Sequence, residues 1–185
     1  PNYRSGVDGL RVSNSTKGGI TFAASTTQNG IHMITVVLGV EAVDGDPYAR
    51  FVATSSLMNY VVRTFVSSIV VKEGDPYGKS KATVMDGKSE TVLAVAKKDF
   101  YIVEKQGSQA EPKIKFKSDQ ESFRAPVKSG TNLGKLHYTD PDKIGRGYLE
   151  DQEPTVDMVA GRTIEKSFFL KVWWNEFVRY VNEKL

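Results

Sequence analysis

The 185-residue sequence predicts an α+β segment, then an all-β sandwich, then a terminal amphipathic helix. Three observations carry that prediction. Strand-like runs followed by one helical pattern occupy residues 1–66. Short β-like runs punctuated by Gly, Pro and Asp fill 67–160. An aromatic-rich helical periodicity occupies 161–185.

The chain opens on the turn signal Gly6-Val7-Asp8-Gly9, with Asp8 expected to shape the turn, and then Leu10 and Val12 alternate with Arg11 and Ser13. A polar cluster, Asn14 to Gly19, leads to two further β-rich runs, Ile20–Thr27 and Ile31–Val40. Asn29-Gly30 between them signals a hairpin, because both residues tolerate the positive φ of a type I′ turn. Ile31, Met33, Thr35 and Val37 fall on one face of the third run, and His32, Ile34, Val36 and Leu38 on the other. Two mostly apolar faces predict a central strand covered on both sides. Asp46 as N-cap and Pro47 at the first helical position predict a helix. Its expected apolar stripe is Tyr48, Phe51, Val52, Ser55, Met58, Val62 and Phe65. Three strands and one helix cannot cover both faces of such a sheet, so the segment reads as part of a larger domain.

Beyond Val66 the β-like runs are Ile69–Lys72, Ala82–Met85, Thr91–Ala96, Phe100–Glu104, Lys113–Lys117, Phe123–Val127, Asn132–Tyr138 and Val156–Ala160. Asp75-Pro76, Asp86-Gly87, Ser129-Gly130 and Asp140-Pro141 supply turns, and spacing of this kind predicts a small sandwich. Over Arg162–Leu185, helical spacing gathers Phe169, Leu170, Trp173, Trp174, Phe177, Val178, Tyr180 and Val181 on one arc, the residues expected to contact a membrane.

Composition narrows the function classes. The 39% hydrophobic and 25% charged fractions are those of a globular protein. Net charge is +3 with no block of like charges, which gives no nucleic-acid footprint. A basic terminal segment meeting anionic lipid is the better use of that charge. The absence of cysteine excludes disulfides and thiolate metal sites. His32 and His137 stand alone in strand patterns, so no metal and no cofactor is expected. No apolar run reaches the roughly 18 residues of a membrane span.

Three pieces, in order, resemble the serine D-Ala-D-Ala carboxypeptidases, the low-molecular-mass penicillin-binding proteins of peptidase family S11, streptococcal type. They are the Gly6-Val7-Asp8-Gly9-Leu10 frame with its hairpin and helix; Ala125-Pro126-Val127-x-x-Gly130-x-x-Leu133-Gly134-x-Leu136; and the terminal helix with its Phe-Phe and Trp-Trp pairs. The resemblance implies that residues 1–66 are the C-terminal part of a transpeptidase (β-lactamase-like) domain, 67–160 its β-sandwich domain and 161–185 its membrane-associating helix. It places Arg11-Val12-Ser13 where the family's substrate-binding Lys-Thr-Gly triplet stands. Arg11 keeps the positive charge, Val12 lacks the hydroxyl, and Ser13 adds a side chain where the family has glycine.

The family also uses an S-x-x-K nucleophile motif and an S-x-N motif. No serine here has Lys three residues on or Asn two residues on, so no catalytic residue is expected in this chain. The implied setting is peptidoglycan maturation at the extracellular face of the cytoplasmic membrane of a Gram-positive bacterium. The expected partner is the membrane surface, through the terminal helix. A peptidoglycan stem peptide is a partner only if an upstream half accompanies the chain. The alternative reading is a non-catalytic, membrane-anchored spacer or protein-interaction module of the cell envelope.

Overall fold

A computed structural model describes residues 5–15, 19–40, 48–108, 111–140, 143–145, 147–148, 152–168, 173–174, 178 and 180–181. They divide into two compact units, residues 1–68 with 103–108, and residues 69–102 with 109–185.

The first unit is built on an antiparallel three-stranded sheet in the order β1 (Val7–Ser15), β2 (Gly19–Gln28), β3 (Ile31–Val40). Asn29 and Gly30 turn between β2 and β3 with φ of 53° and 74°, as an Asn-Gly hairpin requires. The opening turn is Ser5-Gly6, so Asp8 is already a strand residue paired with Ser25, rather than the residue that shapes the turn. β3 alternates strictly: Ile31, Met33, Thr35 and Val37 are buried, and Ile34, Val36 and Leu38 are exposed. The expectation of a central strand covered on both sides is therefore corrected. In this sheet β3 has an edge position, and one of its faces is open among the described residues.

The covered face packs on α1 (Ala49–Thr64), whose N-cap position is held by Tyr48. Asp46 and Pro47, the expected start, lie outside the described residues. The buried stripe also differs from the expected one. Arg50, Thr54 and Met58, four residues apart, face inward, while Val52 is exposed. Ser55 is half-buried. Met58, Val62 and Phe65 of the expected stripe do pack on the core; what the apolar pattern missed is that the same face also takes in Arg50 and Thr54 and leaves Tyr48 and Val52 outside. Phe51 nevertheless meets the core, its ring edge-on to Phe22 at 5.1 Å between centroids. Phe22, Ala24, Ile31, Met33 and Met58 form the buried cluster.

α1 ends as Phe65 turns extended and leads directly into β4 (Phe65–Val71). β4 pairs with β7 (Phe100–Lys105) in a two-stranded sheet. The six-stranded sheet runs β8 (Lys113–Ser118), β10 (Asn132–Thr139), β11 (Thr155–Ala160), β6 (Thr91–Ala96), β5 (Pro76–Met85), β9 (Phe123–Arg124). Both sheets supply the core of the second unit. Val71, Phe100 and Ile102 from the pair join Val92, Ala94, Leu133, Leu136, Val156 and Met158 from the larger sheet. Each expected β-run of this unit coincides with an observed strand, although Phe123–Val127 is regular only at Phe123–Arg124, and Pro76 begins β5 rather than ending a turn.

The glycines of the Ala125-to-Leu136 motif have steric reasons. Gly130 sits at φ 82° in the turn before β10. At Gly134 (φ 145°) a Cβ would lie 2.1 Å from the Lys117 carbonyl oxygen of the neighbouring strand, so no other residue fits.

After β11 the chain does not become helical at Arg162 as expected. Residues 163–167 cross back as a strap: Val127 and Ile164 exchange backbone hydrogen bonds of 2.9 and 2.8 Å, Lys88 N–H donates to Glu165 at 2.9 Å, and Ser167 N–H donates to Asp86 at 2.8 Å. At the same corner the buried Asp86 carboxylate meets Arg124 Nε at 3.3 Å. Phe169, Leu170 and Phe177 of the expected membrane arc lie outside the described residues. Trp173, Trp174, Val178, Tyr180 and Val181 have helical backbone; the first four are exposed and Val181 is half-buried. No described helix is long and apolar enough to cross a membrane.

Candidate functional site

The triplet Arg11-Val12-Ser13 lies in the middle of β1, and a β-bulge decides how it is presented. Gly9 pairs with Ala24, but the next paired residue is Arg11, opposite Ala23, leaving Leu10 as the extra residue. Without that extra residue Arg11 would oppose Phe22, on the face covered by α1. With it, Arg11 and Ser13 share the open face with Ala23 and Thr21, while Val12 opposes Phe22. All three triplet residues are exposed, and Thr21 Oγ1 donates to the Ser13 carbonyl at 3.2 Å.

The open face continues across β2 to β3, where Ala23 pairs with Val36 and Ser25 with Ile34. It thus offers a guanidinium at β1 beside an apolar strip of Ile34, Val36 and Leu38. Chemically it can attract a carboxylate and bury apolar surface. Among the described residues, neither lysine nor histidine neighbours Ser13 in the ladder, so no nucleophile–base pair is seen there. His32, the histidine of this unit, is exposed and pairs with Thr27.

In the second unit a groove of about 540 Å³ is lined by Leu93, Val95 and Pro76, with Lys81 and Arg162 beside Gly74 and Gly161. It forms where β5 departs from β6, since Pro76 pairs with Val95 but the next pair is Lys81 with Leu93. Sequence reasoning did not find this groove, because it depends on a register jump that has no signature in the pattern of apolar residues. His137 lies on β10 between Lys115 and Thr155, and burial, reinforced by Lys117 and Lys135, holds its pKa below the usual imidazole value. Among the described residues no three His, Cys, Asp or Glu side chains are grouped to hold a metal.

Comparison with known proteins adds the following. Residues 65–166 match the family model described as penicillin-binding protein 5, C-terminal domain. The D-alanyl-D-alanine carboxypeptidase DacA of Haemophilus influenzae is 27% identical over 133 residues, covering 71% of this chain and 32% of that protein. The D-alanyl-D-alanine carboxypeptidase DacD of Salmonella typhimurium is 21% identical, covering 75% of this chain and 34% of its own. The chain therefore spans about a third of the curated relatives it matches. A solved structure of a peptidoglycan synthesis regulatory factor (PBP3) from Streptococcus pneumoniae is similar at TM-score 0.83 and 43% identity, over 89% of this chain and 45% of that one. Penicillin-binding protein 5 of Haemophilus influenzae follows at TM-score 0.60 and 22% identity, over 86% of this chain and 43% of that one, a likeness of fold.

Proposed function

Because the chain belongs to the family of the penicillin-binding protein 5 C-terminal domain, matched over residues 65–166, we propose that it is the C-terminal portion of an S11-type D-Ala-D-Ala carboxypeptidase serving peptidoglycan maturation. The observation that carries this reading is the 43% identity to the streptococcal structure over 89% of the chain, more than the family match over 65–166 alone can account for, so the likeness continues upstream of it. On this reading residues 1–66 are the end of a transpeptidase-type domain, with Arg11, Val12 and Ser13 at its Lys-Thr-Gly position. The open face of β1–β3 is the surface such a domain would cover with residues outside these 185. Residues 161–185 would include a membrane-associating helix, bringing the protein to the outer face of the cytoplasmic membrane of a Gram-positive bacterium.

The chain alone is non-catalytic in this proposal, because the serine nucleophile and its lysine base are absent from its sequence. Incubation with a fluorescent penicillin, followed by intact-mass measurement, tests it. The expected result is no adduct; a stoichiometric adduct on any serine would overturn the reading. The altered triplet favours a second reading, a non-catalytic envelope module that spaces or recruits. The same assay on the chain joined to a relative's catalytic half, with a D-Ala-D-Ala peptide offered in parallel, separates the two. Acylation and D-Ala release after joining support the enzyme portion; acylation without release supports the module.

A further inference from the structure

The outer face of the six-stranded sheet carries a charge pattern that the carboxypeptidase reading leaves unexplained. Along β8, Lys113, Lys115 and Lys117 are exposed, while Ile114 and Phe116 pack against the core. The pleat sets the three lysines on one face, successive ones about 7 Å apart, twice the rise per residue of a strand. Register extends the pattern inward. Lys117 lies opposite Lys135 on β10, and Lys115 opposite His137.

Lysines on an edge strand often serve only to deter edge-to-edge pairing. Lys135 is not on an edge, since β10 lies between β8 and β11. Like charges directly opposite across strands destabilise a sheet, so the Lys117–Lys135 pairing brings the isolated protein no stability. On its other side Lys135 lies opposite Asp157 of β11, but the Asp157 Oδ2 is shared with Lys97, 3.8 Å from its Nζ, and Glu153 Oε2 accepts from Thr139 Oγ1 at 2.8 Å. Among the described residues, Lys113, Lys115, Lys117 and Lys135 have no ion pair.

We propose that these four lysines form a binding site for a linear polyanion with evenly spaced charges, of the phosphodiester-linked polyol class, lying along β8. Two features favour such a chain over a lipid surface. The cations repeat along a straight strand, as the anions of a polymer do. Their immediate neighbours on the same face are His137, Thr139, Thr155 and Asp157, all polar, and the exposed Leu93 lies two strands beyond β10, on β6.

Titration of the intact 185-residue chain with a synthetic poly(glycerol phosphate) oligomer tests the site. With four charges neutralised, affinity should fall about 50-fold between roughly 50 and 200 mM salt, at the slope known for single-stranded polyanions. The double substitution Lys115→Gln/Lys117→Gln should weaken binding about 25-fold, about fivefold per lysine. Lys79→Gln/Lys88→Gln removes the same charge from β5 and the turn after it, at the other side of the sheet, and should leave affinity nearly unchanged. On binding, the His137 ring should shift its pKa upward by NMR, a change that a purely structural role for the lysines would not produce. Equal losses in both double variants, equal affinity for orthophosphate, or binding to phosphatidylglycerol vesicles but not to the oligomer would each overturn the proposal. Retained amide dispersion in both variants confirms that folding is intact.

Discussion

In the unit built on β1–β3, the buried cluster lies between one sheet face and one helix, and the residues alternating with it, Ile34, Val36 and Leu38, are exposed. In the unit built on the six-stranded sheet, side chains from two sheets meet in one core, and Val92, Ala94, Leu133, Leu136 and Met158 are fully buried. Strand content is similar in the two; enclosure is not. The difference shows that an apolar strand pattern specifies burial only when a second layer is at hand to supply it.

The strongest way to break the comparison is Gly134→Ala. A Cβ there meets a strand carbonyl at 2.1 Å, so the second unit should lose more than about 3 kcal/mol or fail to fold. Chemical denaturation followed by tryptophan-independent circular dichroism reads this. A variant as stable as the parent would mean that β8 and β10 can separate.

Next in size is a paired truncation. Leu136→Ala should cost about 2–5 kcal/mol, whereas Leu38→Ala, 73% exposed, should stay within about 0.5 kcal/mol. Thermal melts of both variants check this. A large loss at Leu38 would show that the open face is covered in solution.

Arg124→Gln leaves the buried Asp86 carboxylate without its cationic neighbour and should cost about 1–3 kcal/mol. If Asp86→Asn made in the Arg124→Gln background restores stability, the loss is electrostatic rather than one of packing.

The smallest effect is pH dependence. The lowered pKa of His137 means that the folded state binds its proton less readily than the unfolded chain does. Its contribution to stability is therefore present above the unfolded value near 6.5 and is lost as pH falls below it. The melting temperature should fall on acidification through that range, and His137→Gln should flatten this part of the profile. Lys117→Gln should soften it, because that lysine adds to the shift.

Much of the second unit was legible in the sequence because its strands are short, alternate cleanly and are separated by Asp-Gly, Ser-Gly and similar turns. The first unit was legible as three strands and a helix, but not in its facing. Ile31 to Leu38 is apolar on both sides, so pattern could not say which side is open. Arg50 and Thr54 defied the expected stripe because an apolar periodicity assigns a cation and a hydroxyl to the solvent side, whereas both are buried. The Leu10 bulge left no trace in composition, yet it alone sets the direction of Arg11. The alternation Lys113-x-Lys115-x-Lys117 was in plain view; that Lys135 stands opposite it could be known only from the register.

The strap that follows β11 has a mechanical consequence. Tension entering from the C-terminal end reaches the backbone hydrogen bonds of Ser167, Glu165 and Ile164 before it reaches β11. Ile164 is wedged beside Gly87, its Cγ2 occupying the space a Cβ would need. A pull on that end would therefore load the strap's few bonds before the six-stranded sheet, so the strap is the first part of this unit to give way.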